Sequence, residues 1–271
     1  MRDRARGAAA SEKDTTMKNP TNKFKAAIRD GRQQIGIWNS IGGSLVPEML
    51  ATCGFDWILV DTEHAPVEVT DVLPVLQALA AWPEISPVVR PAINDPVLIK
   101  RHLDQGAQTL LVPYVESVKE AEAAVRAVRY PPRGIRGVAG LTRASRFGTV
   151  EGYAATADEE ICLLLQVETT RAMECMEGIA AVDGVDGIFI GPSDLAASMG
   201  YPGQPGHPQV VAKIEDAIAR LKAMGVPAGI LTPDRAFAHR CIALGTVFTA
   251  VGADLGLLSA AARNLATEFS R

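Results

Sequence analysis

Short apolar runs alternate with amphipathic stretches along most of the chain. Eight apolar runs have strand length and are bounded by polar residues, Gly or Pro. They occupy 35–38, 57–61, 86–90, 109–113, 163–168, 187–191, 228–231 and 247–251. Apolar positions recur with helical spacing between them, at 66–80, 95–105, 117–128, 171–180, 208–224 and 233–243. This alternation, with few hairpin signals, predicts an α/β fold formed by a single (β/α)8 TIM barrel.

Length, charge and cysteine usage narrow the class of protein. An α/β barrel needs roughly 250 residues, so the 271-residue chain predicts one barrel domain over 21–271. Residues 1–20 are polar and lack periodicity, which predicts a disordered tail, with Met17 as an alternative start. The net charge of −4 argues against nucleic acid as a partner, and no apolar run is long enough for a membrane span. Four cysteines without a Cys-x-x-Cys pair predict buried thiols and a reducing cytoplasm.

Two acidic residues lie where two buried strands of one βαβ unit end. Glu168 ends the run 161–168, and Asp194 follows the run 187–193. The carboxyl ends of parallel barrel strands meet at one mouth, where barrel enzymes place their active sites. Two hard oxygen ligands with no thiolate nearby suit Mg²⁺ or Mn²⁺ and leave positions free for a chelating substrate. Either acid alone is as well explained by a buried ion pair, but the two together predict a metal-dependent enzyme.

A histidine and an arginine are predicted at the same mouth. His64 lies on a short loop three residues after Asp61, which could hold one ring nitrogen and leave the other as a base. A loop histidine with local hydrogen bonds is the alternative interpretation. Arg90 ends the strand 86–90, where its permanent charge would stabilise an enolate or bind a carboxylate. An ion pair of Arg90 with Asp61 or Glu168 is the alternative and is compatible with that role.

Other residues near the predicted mouth are candidates for substrate contact. Gln166 shares a strand face with Glu168 and would fix a substrate or a water molecule. Gly191 lets a ligand approach the backbone closely, and the Ser193 N–H would donate to a substrate carboxylate. Trp38 ends the first strand, where packing at the barrel rim is a more common role than a substrate wall.

The positions of the lysines bear on the type of chemistry. None of them ends a predicted strand, since they lie at 13, 18, 23, 25, 100, 119, 213 and 222. An enzyme that forms a Schiff base needs a lysine amine in the barrel mouth. Enamine chemistry is therefore disfavoured, and a metal has to act as the electron sink.

Six short motifs together carry a family resemblance. They read Gly36-Ile-Trp38, Asp61-Thr-Glu-His64-Ala-Pro66, Val88-Val-Arg90-Pro, Tyr130-Pro-Pro-Arg-Gly-Ile-Arg136-Gly, Gln166-Val-Glu168-Thr and Gly191-Pro-Ser-Asp194-Leu. Over about residues 24–270 the chain resembles the HpcH/HpaI family of metal-dependent, class II hydroxyketoacid aldolases. These enzymes cleave 4-hydroxy-2-oxoacids into a pyruvate-type ketoacid, pyruvate or hydroxypyruvate, and an aldehyde, and they also run in reverse.

The resemblance implies roles for individual residues. It implies that Glu168 and Asp194 bind Mg²⁺, Mn²⁺ or Co²⁺, that Arg90 steadies the enolate, and that His64, paired with Asp61, is the base. It further implies that Glu63 and Asp104 hold water molecules bound to the metal, and that Ser193 and Leu231 line the pyruvate pocket. Family members are hexamers with swapped C-terminal helices, which is expected here. Loops such as 138–143 contact the aldehyde in this family.

Two other functions stay open on the sequence alone. An acyl-CoA lyase of the same superfamily, of the malyl- or citryl-CoA type, would need basic residues for the phosphates of CoA. Only the 129–146 segment offers such a tract, with arginines at 129, 133, 136, 143 and 146. A non-catalytic barrel that binds a sugar acid is the alternative from another class.

Overall fold

The computed structural model describes residues 17–270, in which eight parallel strands close into a barrel in the order β1 to β8. The strands are β1 (Gln34–Asn39), β2 (Trp57–Asp61), β3 (Ser86–Arg90), β4 (Thr109–Val112), β5 (Cys162–Val167), β6 (Gly187–Ile190), β7 (Ala228–Leu231) and β8 (Thr246–Ala253). Each predicted strand is present, with its ends displaced by two residues at most. The predicted (β/α)8 fold is therefore confirmed.

Helices connect the strands and cover the outside of the barrel. Within residues 17–270 they are α1 (Lys23–Arg29), α2 (Leu45–Ala51), α3 (Val69–Leu79), α4 (Pro96–Asp104), α5 (Val118–Val128), α6 (Tyr153–Glu160), α7 (Thr170–Ala180), α8 (Pro192–Ser198), α9 (Pro208–Ala223), α10 (Arg235–Leu244) and α11 (Asp254–Glu268). All six predicted helices are present. The start of α3 differs from the prediction by three residues, because Pro66 stays in the loop and the Glu68 N–H donates to the Asp71 carboxylate at 2.8 Å to cap the helix.

Large aromatic side chains fill the amino-terminal half of the barrel interior. A Cβ at Gly36 would lie 2.1 Å from the Trp57 ring, and a Cβ at Gly229 would lie 2.1 Å from the Phe248 ring. The two glycines therefore leave room for rings to cross the interior. Phe24 of α1 meets both rings edge-on, with centroids 5.8 Å from each, and so closes this end of the barrel.

The segments 17–20 and 131–150 also lie at the amino-terminal end, opposite the mouth. Of the predicted disordered tail, residues 1–16 lie outside the described residues, whereas 17–20 are hydrogen-bonded to the rest of the chain. The Met17 N–H donates to Thr149 O at 2.9 Å, and Gln108 Nε2 donates to Pro20 O at 2.6 Å. The 131–150 connection follows the end of α5 and leads through α6 to the start of β5. The expectation that loop 138–143 contacts the aldehyde is therefore wrong for the mouth of the same subunit.

The C-terminal helix α11 packs little against the rest of residues 17–270. Its only buried residue is Asp254, and its exposed side chains include Leu255, Leu257, Leu258 and Leu265, followed by Phe269. At its start, Asp254 accepts hydrogen bonds from Asn39 Nδ2 at 2.6 Å and from the Ser40 N–H at 2.9 Å, which anchors the helix to the loop after β1. Among the helices of residues 17–270, none combines the length and apolar character that crossing a membrane requires.

Candidate active site

The carboxyl ends of two pairs of neighbouring strands, β2 with β3 and β5 with β6, bring the predicted polar residues to one mouth. Asp61 ends β2 and Arg90 ends β3, and the two are paired in the parallel register. Glu168 directly follows β5, and Gly191 directly follows β6. Asp194 lies in the first turn of α8, three residues beyond Gly191. Their shared position at the strand ends is the arrangement that barrel enzymes use for catalysis.

Arg90 is held rigidly in the floor of this mouth. Its Nε and Nη2 donate to the two oxygens of Asp61 at 2.9 and 2.7 Å, and its Nη1 lies 2.8 Å from Glu63 Oε2. The guanidinium also lies over the Trp38 ring, 5.1 Å from its centroid. Burial opposes ionisation of Asp61, but the hydrogen bonds and charge of Arg90 lower its pKa, so the pair stays ionised. The predicted ion pair with Asp61 is confirmed.

The predicted pairing of the Asp61 carboxylate with the His64 ring is wrong. Both Asp61 oxygens are taken by Arg90, and Oδ1 also accepts from the backbone N–H groups of Glu63 and His64 at 3.0 and 3.3 Å. This tight turn directs the His64 side chain outward, where 65% of it is exposed. The carboxylate beside the ring is that of Glu63, with Oε2 3.9 Å from His64 Nε2.

Glu168 is buried in a network that fixes both of its oxygens. Oε1 accepts from the Tyr114 N–H at 2.9 Å, and Oε2 accepts from Gln166 Nε2. Burial, together with the charges of Asp194 and Glu63, raises the pKa of Glu168 to about 7 against the lowering effect of these hydrogen bonds. A proton or a cation beside Glu168 would offset the repulsion between these carboxylates.

The donor set fits a divalent cation that keeps open coordination positions. Within residues 17–270, no group of three His, Cys, Asp or Glu side chains is placed to hold a metal ion. A cation at the mouth would therefore have two protein ligands, the carboxylates of Glu168 and Asp194. The buried Gln166 Oε1 has no hydrogen-bond partner beside them, which leaves an acceptor for a water molecule. Oxygen donors favour hard ions such as Mg²⁺ or Mn²⁺. Four carboxylates, those of Asp61, Glu63, Glu168 and Asp194, lie at the mouth with the guanidinium of Arg90. This excess of negative charge also favours a bound cation.

Four other predicted residues lie in different surroundings. Ser193 is exposed in the first turn of α8, and Leu231 is half-buried at the end of β7, so both are at the mouth. Trp38 is only 4% exposed, so it packs beneath Arg90 and is not an open substrate wall. Asp104 was expected near the metal, but it ends α4 at the amino-terminal side and accepts from Arg136 Nη2 at 2.9 Å. Its predicted water-holding role is therefore wrong for the mouth of the same subunit.

The sequence did not identify Tyr114 as a residue of the site. It lies two residues beyond the end of β4. Its backbone has φ of 57°, a left-handed conformation that is uncommon for a bulky residue. That conformation is accompanied by the hydrogen bond from its N–H to Glu168. Its position just beyond a predicted strand was the only signal in the sequence. No local sequence pattern predicts a tyrosine with a left-handed backbone conformation.

Comparison with known proteins agrees with this geometry. Residues 34–261 match the family model described as HpcH/HpaI aldolase/citrate lyase. A pyruvate aldolase of Rhizobium etli is 62% identical, with 94% of this chain and 100% of the relative aligned, and a hydroxypyruvate/pyruvate aldolase of Sagittula stellata is 55% identical, with 93% and 99% aligned. A solved HpcH/HpaI aldolase/citrate lyase family protein of Burkholderia cenocepacia has a TM-score of 0.88 at 40% identity, covering 92% of this chain and 99% of its own. The aldolase class implied by the motifs is confirmed. The chain belongs to the HpcH/HpaI aldolase/citrate lyase family.

Proposed function

We propose that the protein is a divalent-metal-dependent aldolase that cleaves 4-hydroxy-2-oxoacids into pyruvate or hydroxypyruvate and an aldehyde, and forms them in reverse. The observation that carries this proposal is the position of Glu168 and Asp194 just beyond the ends of the neighbouring strands β5 and β6, at the mouth that also holds the buried Arg90 paired with Asp61 and Glu63. The names of the pyruvate and hydroxypyruvate/pyruvate aldolases among its relatives support the same class of substrate. A cation held by Glu168 and Asp194, whether Mg²⁺, Mn²⁺ or Co²⁺, would supply the Lewis acid for the ketoacid oxygens.

Arg90 stabilises the negative charge that develops on the ketoacid oxygen as the carbon–carbon bond breaks. A guanidinium has five N–H groups, of which hydrogen bonds to Asp61 use two, while Nη1 forms an ion pair with Glu63. The N–H groups that are not hydrogen-bonded can donate to substrate oxygens. Asp61 and Trp38 hold the guanidinium in place before the reaction, so little reorganisation is needed as charge develops.

His64 takes the proton from the C4 hydroxyl of the substrate. Its exposed ring lies at the mouth beside Glu63, so it can reach the part of the substrate that becomes the aldehyde. Glu63 lies between the Arg90 guanidinium and the His64 ring, with its Oε2 2.8 Å from Arg90 Nη1 and 3.9 Å from His64 Nε2. Ser193 and Leu231 would form the wall of the pyruvate pocket, and Gln166 Oε1 would accept from a water molecule.

The acyl-CoA lyase alternative loses its support in the structure. The arginines that would bind the phosphates of CoA lie on the connection at the amino-terminal end, away from the mouth. Arg129 pairs with Asp183 at 2.9 Å, and the fully buried Arg136 pairs with Asp104. Arg133 likewise pairs with Asp158, and Arg143 donates to two backbone carbonyls. The tract therefore serves the fold of this subunit.

The exposed α11 supports assembly into the homo-hexamer with swapped C-terminal helices that the family resemblance implies. Its leucines and the adjacent Phe269 are too apolar for a permanently solvated helix. Sedimentation equilibrium of the full chain checks this assembly. The four cysteines are free thiols, which supports the reducing cytoplasm as the compartment.

Metal binding and catalysis by charge-neutral variants test the proposed function. Glu168→Gln should keep the fold, because the amide imitates the neutral carboxyl that burial already favours, while removing an anionic ligand. Asp194→Asn removes the other ligand. We expect both to weaken Mn²⁺ binding in calorimetry and to lose pyruvate release from a 4-hydroxy-2-oxoacid. Glu174→Gln, on the exposed face of α7, is the matched control. Unchanged Mn²⁺ affinity in both site variants would refute the ligand assignment.

A further inference from the structure

Tyr114 adopts a backbone conformation that its side chain disfavours. Its φ of 57° lies in the left-handed region, where an L-residue with a bulky side chain is strained. The conformation coincides with a specific contact, because the Tyr114 N–H donates to Glu168 Oε1 at 2.9 Å. Glycine or asparagine would adopt this conformation with less strain and would keep the same N–H. The backbone contact therefore explains the conformation but does not explain why the side chain is tyrosine.

The Tyr114 side chain stands at the mouth with its hydroxyl free. It is 55% exposed, and its hydroxyl makes no hydrogen bond with any described residue. A phenol is protonated at neutral pH, so the group is an O–H donor. The residue lies beside the proposed metal site, because its own N–H contacts Glu168.

We propose that Tyr114 determines aldehyde specificity by donating its phenol O–H to a hydroxyl oxygen of a hydroxyaldehyde bound in the mouth. This proposal rests on the proposed aldolase function. A hydroxyl oxygen can serve as the acceptor, because the phenol is an exposed O–H donor that no described residue engages. An aldehyde without a hydroxyl gains nothing from the phenol.

Removing only the hydroxyl tests the proposal directly. Tyr114→Phe is compared with the wild type for aldol addition of pyruvate to glycolaldehyde and to propanal, which differ by a hydroxyl in place of a methyl group. One lost hydrogen bond corresponds to a loss of about 3- to 10-fold in kcat/KM for glycolaldehyde. Propanal addition, oxaloacetate decarboxylation and Mn²⁺ affinity should stay unchanged, since none of them uses the phenol.

Tyr201→Phe is the matched control on the same end of the barrel. Its hydroxyl donates to Gln209 Oε1 at 2.6 Å, so its removal should not change the ratio of the two aldehydes. An equal loss for glycolaldehyde and propanal in Tyr114→Phe, or no loss for either, would overturn the proposal. A parallel loss of decarboxylation would also overturn it, by placing the phenol on pyruvate.

Tyr114→Asn separates the backbone contact from the side chain. Asparagine tolerates the left-handed conformation and keeps the N–H for Glu168, so the variant should gain roughly 2 °C or more in Tm and retain Mn²⁺ affinity. It should lose the preference for glycolaldehyde. Retained preference would refute the role of the phenol. If the wild type lacks metal-dependent aldol activity altogether, the proposed function fails instead, whatever the variants do.

Discussion

Replacing Gly191 with alanine tests whether Glu168 must keep the position it occupies. A Cβ at Gly191 would lie 2.4 Å from Glu168 Oε2 and 2.8 Å from its Cβ, while Gln166 Nε2 would be 3.3 Å away. Ordinary van der Waals contact begins at 3.4 Å, so the carboxylate has to move by about 1 Å. The backbone conformation at this position is compatible with alanine, because its φ is −93°.

A displacement of this size should remove Glu168 as a ligand. Protein ligands to a metal keep their bond lengths within about 0.2 Å of the preferred value. We expect Gly191→Ala to weaken Mn²⁺ binding by about 10- to 100-fold, a range comparable to the loss of an outer-shell partner. This equals about 1.4 to 2.7 kcal/mol of binding free energy. Isothermal titration calorimetry measures it, and aldol cleavage and oxaloacetate decarboxylation at fixed Mn²⁺ should fall together.

The matched control is an alanine at a glycine with open space. A Cβ at Gly206 meets no atom within 4 Å, so Gly206→Ala should bind Mn²⁺ as the wild type does. Circular dichroism establishes that both variants are folded. Wild-type affinity in a folded Gly191→Ala protein would refute the reasoning, because Glu168 would then have moved without consequence for the cation.

Two further predictions concern the histidines. His64→Ala should lose about 10²- to 10⁴-fold in aldol cleavage, the usual range for a general base, yet keep oxaloacetate decarboxylation, which has no hydroxyl proton to remove; equal loss of both would contradict this role. His102 is buried without a partner, and burial, helped by the charge of Arg101, lowers its pKa to about 4. Because the unfolded state binds the proton more tightly, His102 should destabilise the fold by about 2 kcal/mol between pH 8 and pH 5, against the opposite contribution of Glu168, whose pKa is raised. His102→Leu lacks the histidine contribution, so urea denaturation should show the stability difference between the two proteins changing by about 2 kcal/mol over this pH range.

The barrel itself was predictable because its strands are buried on both faces. Continuous apolar runs such as 57–61 and 187–191 need no tertiary information to be assigned as strands. The short helices were missed for an equally physical reason. α1, α2, α6 and α8 span only seven or eight residues, about two turns, in which a 3.6-residue period cannot be distinguished from chance.

The sequence predicts which residues lie at the mouth, but it does not predict which of their side chains pair with one another. Strand ends place Asp61, Arg90 and Glu168 together, whereas the sequence cannot say which of several groups within reach a carboxylate will bind. Asp61 binds the guanidinium because Arg90 sits opposite it in the register of β2 and β3, and a buried guanidinium needs bidentate compensation. Asp104 was misplaced because a helix-end residue faces the opposite end of the barrel from the strand ends.

One half of the barrel interior stabilises the fold, and the other half holds the residues of the candidate active site. Phe24, Trp57 and Phe248 interlock in the amino-terminal half, where apolar burial is complete. The carboxyl-terminal half instead contains mutually repelling carboxylates and a strained Tyr114, each of which destabilises the folded chain. These unfavourable features share one position, the surroundings of Glu168. A dication placed there would relieve the repulsion between the carboxylates, whereas a neutral ligand would not. The same interactions that weaken the mouth would therefore favour the binding of the proposed divalent cation.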